Sequence, residues 1–91
     1  MSELRLQDHD GRLTAEAGGH ELVIRYRWAR PGVMRVDFVG VPSALGGQGW
    51  GTRLVGALVD KSRREGFSIV PVCGFAREQF RRHPEWQDVI A

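Results

Sequence analysis

The sequence predicts an α+β fold: a mostly antiparallel sheet with one parallel strand–helix–strand crossover. Three observations carry that reading. Apolar residues alternate with polar ones between Arg12 and Trp28, broken by Gly18-Gly19. A glycine-rich turn then follows an apolar run and opens a segment with helical periodicity. A second apolar run begins directly after the glycine that ends that helix. Strand, helix, strand in this order implies a parallel pair joined by a right-handed crossover.

The elements follow in order. Leu4 and Leu6 begin a short extended piece, and Asp8-His9-Asp10-Gly11 reads as a turn. Arg12 to Glu16 alternates as a strand, and Gly18-Gly19 is a hairpin turn. In Glu21 to Trp28, residues Leu22, Ile24, Tyr26 and Trp28 share one face and Arg25 and Arg27 the other. Arg30-Pro31-Gly32 is a turn. Val33 to Val41 is a third strand. Val33, Val39 and Val41 are expected on one side, with Met34, Val36 and Phe38 on the other, as in a covered strand.

Pro42-Ser43-Ala44-Leu45 leads to Gly46-Gly47-Gln48-Gly49-Trp50-Gly51, four glycines in six positions. The helix they open runs to about Glu65, with an apolar stripe at Leu54, Val55, Leu58 and Val59, and Gly66 stops it. Phe67 to Cys73 reads as a strand, Phe75 to Arg82 as a short basic helix, and Trp86 to Ile90 as a docking segment after His83-Pro84-Glu85.

Length and composition bound the function. Ninety-one residues suit one domain, 1–91, as a monomer or homodimer. No apolar stretch is long enough to span a bilayer, and Met1 to Arg5 lacks a secretory h-region, so a cytoplasmic location without membrane partners is expected. Cys73 is the sole cysteine and the three histidines are scattered, which argues against a metal site. Positive charge is almost all arginine, yet the net charge is only +2. Nucleic-acid binding would want more net charge and interleaved aromatics.

Glycines at a helix start bare backbone N–H groups toward the positive end of the helix dipole, a ready site for phosphate. Two familiar loops fail here. A dinucleotide fingerprint needs a third glycine where Thr52 stands, and a Walker A loop needs lysine where Thr52-Arg53 follows Gly51.

The pattern that remains resembles the pyrophosphate loop of the GNAT superfamily, the acyl-CoA-dependent N-acyltransferases, with signature [RQ]-x-x-G-x-[GA]. From about Arg12 onward the chain looks like the small YidJ-like branch, whose members are about as long as this chain. The matching pieces are Leu22 to Tyr26, Val41-Pro42, Gly47-Gln48-Gly49 with Gly51, the helix with Leu54 and Val55, Glu65-Gly66, Val70-Pro71 with Cys73 and Phe75, and His83-Pro84-Glu85 with Gln87-Asp88. Of these, Pro71-x-Cys73 and His83-Pro84-Glu85, at this spacing after the loop, are the specific part. Six positions, in four places, depart from that branch. Gly46 replaces its usual arginine, Phe38-Val39-Gly40 stands for His-Thr-Glu, Gln79 takes the place of a tyrosine, and Trp86 is the last aromatic.

The resemblance implies a truncated GNAT-like fold and an acetyl-CoA-dependent transfer to an amine acceptor. Gly46, Gly47, Gln48, Gly49, Trp50, Gly51 and Thr52 would hold the CoA pyrophosphate, and Val39, Gly40 and Val41 would offer backbone to the pantetheine arm. Cys73 and His83 are the candidate catalytic groups, as acyl relay and as base, with Asp37 a second possible base; the structural alternatives are a small buried residue for Cys73 and, for His83, a cap of the terminal segment through Asp88 or backbone. Tyr26 reads as core rather than acid. Arg77, Arg81 and Arg82 are a solvated helix face or, alternatively, a contact for the CoA 3′-phosphate or an acidic partner. Two alternatives stay open: a catalytically weak CoA-binding sensor or interaction module, and a protein acylated on Cys73 itself.

Overall fold

The computed structural model describes residues 4–91. Met1, Ser2 and Glu3, which enter the reading of the N-terminus, lie outside the described residues. Strands β1 (Gln7–Asp8), β2 (Arg12–Ala17), β3 (His20–Arg30), β4 (Val33–Gly40) and β5 (Ser68–Pro71) form one sheet in sequence order. The first three pairings are antiparallel and β4–β5 is parallel. Helix α1 (Trp50–Glu65) makes the crossover, α2 (Gly74–Arg82) follows β5, and a 3-10 segment (Pro84–Val89) ends the chain.

The hairpin between β2 and β3 turns through Gly18 (φ 55°) and Gly19 (φ 77°), the left-handed pair that suits the twist of two flanking strands. Its register puts Leu13 opposite Ile24 and Ala15 opposite Leu22. These side chains, with Tyr26, Met34, Val36 and Ile69, form the covered face of the sheet. Leu54, Val55, Leu58 and Val59 of α1 and Ala76 and Phe80 of α2 pack in the same core. Gly66 (φ 77°) closes α1 through its N–H to the Ser62 carbonyl at 2.8 Å, while the Ser62 hydroxyl donates to the Phe67 carbonyl. The C-terminal segment lies along α1, where Arg63 grips both carboxylate oxygens of Asp88. Ile90 then adds a parallel bridge beside Ile69 on the free side of β5.

Three details differ from the expectation. First, β4 is bulged. Arg25 pairs with Phe38 but Tyr26 pairs with Val36, so Asp37 is the extra residue. The extra residue reverses the alternation: Val39 joins Met34 and Val36 on the covered face, and Phe38 turns to the other face, 47% exposed. Second, the last strand stops at Pro71 rather than Cys73, because the chain turns into α2. Phe67, before it, packs in the core. Third, Trp28 stays half-exposed, in T-shaped contact with the Tyr26 and Phe67 rings.

Candidate functional site

The glycine loop is shaped by backbone conformations that other residues resist. A 3-10 turn, Ser43–Leu45, brings the chain off the sheet, and Gly46 N–H closes it on the Ser43 carbonyl at 3.0 Å. Gly47 (φ 73°) and Gly49 (φ 81°) are left-handed, and Gly49 is the N-cap of α1. The first intrahelical contact comes from Arg53 N–H to the Gly49 carbonyl at 3.1 Å. The N–H groups before it in the first turn have no intrahelical acceptor, as at every helix start.

These groups border a cleft of about 280 Å³ lined by Val41, the loop glycines, Thr52, Phe75 and Gln79. It brings together most of the loop residues expected there: Val41, Gly46, Gly47, Gly49, Trp50, Gly51 and Thr52. Gln48 is not part of the lining; its side-chain oxygen accepts from the Trp50 indole N–H at 3.3 Å. The Arg53 guanidinium sits 4.6 Å over the Trp50 ring.

Phe75 and Gln79 are the site residues that sequence reasoning did not assign. They are four apart on α2, so they share the face that meets the start of α1. The Phe75 ring occupies the space a side chain at Gly51 would need. Gln79 is buried, 6% exposed, and its oxygen accepts from the Thr52 hydroxyl at 2.9 Å. That spacing was the available signal, but it acquires meaning only once α2 is known to pack on α1.

From the cleft, Val41, Gly40 and Val39 lead back along β4 to the place where the sheet parts. The parallel ladder ends at Val36 opposite Pro71. The Val36 carbonyl then accepts two amides, from Val72 at 2.9 Å and Cys73 at 3.2 Å. Beyond that point β4 continues through the bulge while the other chain enters α2. Asp37 to Gly40 therefore have no register partner on the β5 side. Cys73, half-buried, is the N-cap of α2 at the mouth of this split.

The candidate proton-handling groups are placed differently. His83 caps the far end of α2, ten residues from Cys73 and about 15 Å away along a helical rise. Its Nδ1 lies 2.7 Å from the Gln79 carbonyl, which requires an N–H there, and its ring stacks on Trp86 at 4.0 Å. Cys73 and His83 are thus not brought together. Asp37 is held by the Arg35 Nε at 2.7 Å and the Arg27 Nε at 3.1 Å. Partial burial pushes its carboxyl up, but those two hydrogen bonds outweigh it and hold the group below the usual aspartate value. Such a carboxylate is a weak base. Tyr26 is core, with burial and its bond to the Asp8 carboxylate at 2.6 Å raising its hydroxyl pKa.

Arg81 and Arg82 both bind Glu78, which they pull down to about 2. Among the described residues no group of histidine, cysteine and carboxylate side chains is arranged to hold a metal ion. No helix among them is long and apolar enough to cross a membrane.

The architecture has known counterparts. The family model described as GCN5-related N-acetyl-transferase matches residues 12–89. A solution structure of a GCN5-like candidate N-acetyltransferase from Staphylococcus aureus superposes with a TM-score of 0.75 at 28% identity, covering 100% of this chain and 91% of that one. No curated protein matches the chain.

Proposed function

The chain belongs to the GCN5-related N-acetyltransferase family, and we propose that it transfers an acetyl group from acetyl-CoA to an amine by direct attack. One observation carries the reading: from the split between β4 and β5 the chain runs through Val39 and Gly40 directly to Val41, which lines the glycine cleft. A phosphate group suits the loop end, where N–H groups and the α1 dipole converge without a side-chain obstruction at Gly47 or Gly49. A chain of amides suits the path, because unpaired β4 backbone offers donors and acceptors whatever side chains stand there. The thioester then falls near the bulge and Cys73. We take the whole chain as one such domain, of the small YidJ-like kind, working in the cytoplasm.

The step itself is simple. The acceptor ammonium first gives up a proton to water. Its nitrogen attacks the thioester carbon, the N–C bond forms, the C–S bond breaks, and the CoA thiolate leaves with the electron pair. The second proton leaves the nitrogen and neutralises the thiolate. Backbone N–H groups at the bulge polarise the carbonyl, and positioning supplies the rest.

A second reading is favoured by a specific observation: Asp37 and His83 are both committed to structural partners. It makes the protein a CoA-binding sensor or interaction module without efficient catalysis. The test pairs calorimetric titration with acetyl-CoA and turnover on a broad amine and peptide panel. The enzyme reading expects both binding and transfer. Tight binding with no transfer to any acceptor would replace it with the module.

A further inference from the structure

We infer that the acceptor is a small amine bearing its own anionic group, a carboxylate or phosphate, recognised by Arg25 on the helix-free face of the sheet. The inference rests on the transferase reading above and adds the acceptor class.

The register defines that face. Arg12, Arg25 and Phe38 stand opposite one another across β2, β3 and β4, and Arg27, Arg35 and Val70 do so across β3, β4 and β5. The core and both helices lie on the opposite face, which carries Ile24, Tyr26 and Val36. The arginine face is open: the Arg27, Arg12 and Arg35 side chains are 67%, 45% and 43% exposed. It also borders the split, since Phe38 and the exposed Val72 flank it there. An acceptor that meets the bulge from the side without helices must pass over these residues.

Two pairs of arginines oppose each other directly across strands, an arrangement that costs stability. The Arg27–Arg35 pair is bridged by Asp37. In the Arg12–Arg25 pair only Arg12 has a carboxylate, Glu21 at 3.5 Å. Arg25, the arginine paired with Phe38 beside the bulge, has no ion-pair partner among the described residues. Around the bulge, then, three arginines face one carboxylate that is already taken. Such a surface repels a polyamine and favours a ligand whose charge includes an anion. Arg25 lies one strand away from the bulge, about 5 Å, so the anion and the reacting nitrogen must sit in one compact molecule.

The experiment measures acetyl transfer to matched amines: glycine and β-alanine, 2-aminoethyl phosphate, ethylamine and spermidine. It uses the wild type, Arg25→Gln and Arg25→Lys. The carboxylate or the phosphate arm is expected to exceed ethylamine and spermidine in kcat/KM by about tenfold or more, as a charge-assisted contact allows. Arg25→Gln should erase that margin through KM, with kcat at saturation and acetyl-CoA affinity unchanged, and Arg25→Lys should restore part of it. Equal or better use of spermidine, or an unchanged margin in Arg25→Gln, overturns the inference. So does acetyl-CoA binding without transfer to either anionic class, which leaves the coenzyme assignment standing. Failure of acetyl-CoA to bind removes both.

Discussion

Gly51 is crowded by a neighbour rather than held by its backbone, and that makes a sharp test of how α2 closes the cleft. A Cβ built at Gly51 meets the Phe75 ring, with Cε2 at 3.0 Å and Cζ closer still. In an ordinary helix, glycine to alanine gains up to about 1 kcal/mol. Here the ring must move. It is 42% exposed, so it can swing outward rather than crush the core, at about 0.5–1.5 kcal/mol for a poorer rotamer. The two effects are similar in size and opposite in sign, so Gly51→Ala should leave stability nearly unchanged. In a Phe75→Ala background the obstruction is gone, and the same substitution should stabilise by up to about 1 kcal/mol. The four proteins compared by urea denaturation should show a coupling of about 1 kcal/mol. Additivity within about 0.5 kcal/mol would mean that the ring does not rest on Gly51 and that the cleft is shaped otherwise.

Gly49 tests the other kind of glycine. Its φ is 81° and nothing crowds a Cβ there, so Gly49→Ala should cost about 1–2 kcal/mol from backbone conformation alone and weaken acetyl-CoA binding in calorimetry. For Asp37, the folded pKa lies below the ordinary value of 3.8. Its contribution is therefore present above pH 3.8 and is lost as pH falls through the lowered folded value. The stability gap between wild type and Asp37→Asn should be constant near neutrality and close only in strong acid. Asp37→Asn should also escape the roughly 10²–10⁴-fold loss of turnover that removing a general base brings. Cys73→Ala should still transfer acetyl to amines. A thiol-labile mass gain after acetyl-CoA incubation, abolished in Cys73→Ala together with turnover, would instead make Cys73 the acyl carrier.

Much of this was legible in the residues, for identifiable reasons. Leu22, Ile24 and Tyr26 alternate because one face is buried, and Leu54, Val55, Leu58 and Val59 fall on one stripe because a helix covers it. Gly66 marked the helix end because αL backbone suits glycine. What stayed hidden depends on pairing between distant segments. The bulge at Asp37 is a property of register, stabilised by Arg27 on the neighbouring strand, and no local pattern in Val33–Gly40 reveals it. Phe38 consequently looked like a core residue. His83 reads in the sequence as either a base or a cap of the terminal segment, and Pro84 beside it favours the cap. Its role as a cap depends on the Gln79 carbonyl and the Trp86 ring, which the fold brings beside it. The cleft wall from Phe75 and Gln79 likewise needed the docking of α2 on α1.

The placement of these groups also fixes what the pH profile of transfer should look like. With Asp37 held by arginines and His83 turned to its own helix, the proposed transfer would use the free amine that water leaves available. For an amine of pKa near ~10, about one molecule in 10³ is free at pH 7, a handicap of about 4 kcal/mol. Positioning beside the bulge can return about 7–11 kcal/mol, so the deficit does not prevent catalysis. The expected consequence is a rate set by the substrate rather than by the protein. Plotted against pH, log kcat/KM should rise with unit slope to the pKa of whichever amine is used, and the break should move when a less basic amine is substituted. A break near pH 6–7 that stays fixed across amines would identify a histidine-like base on the protein, with His83 released from its cap, and would refute transfer without a side-chain base.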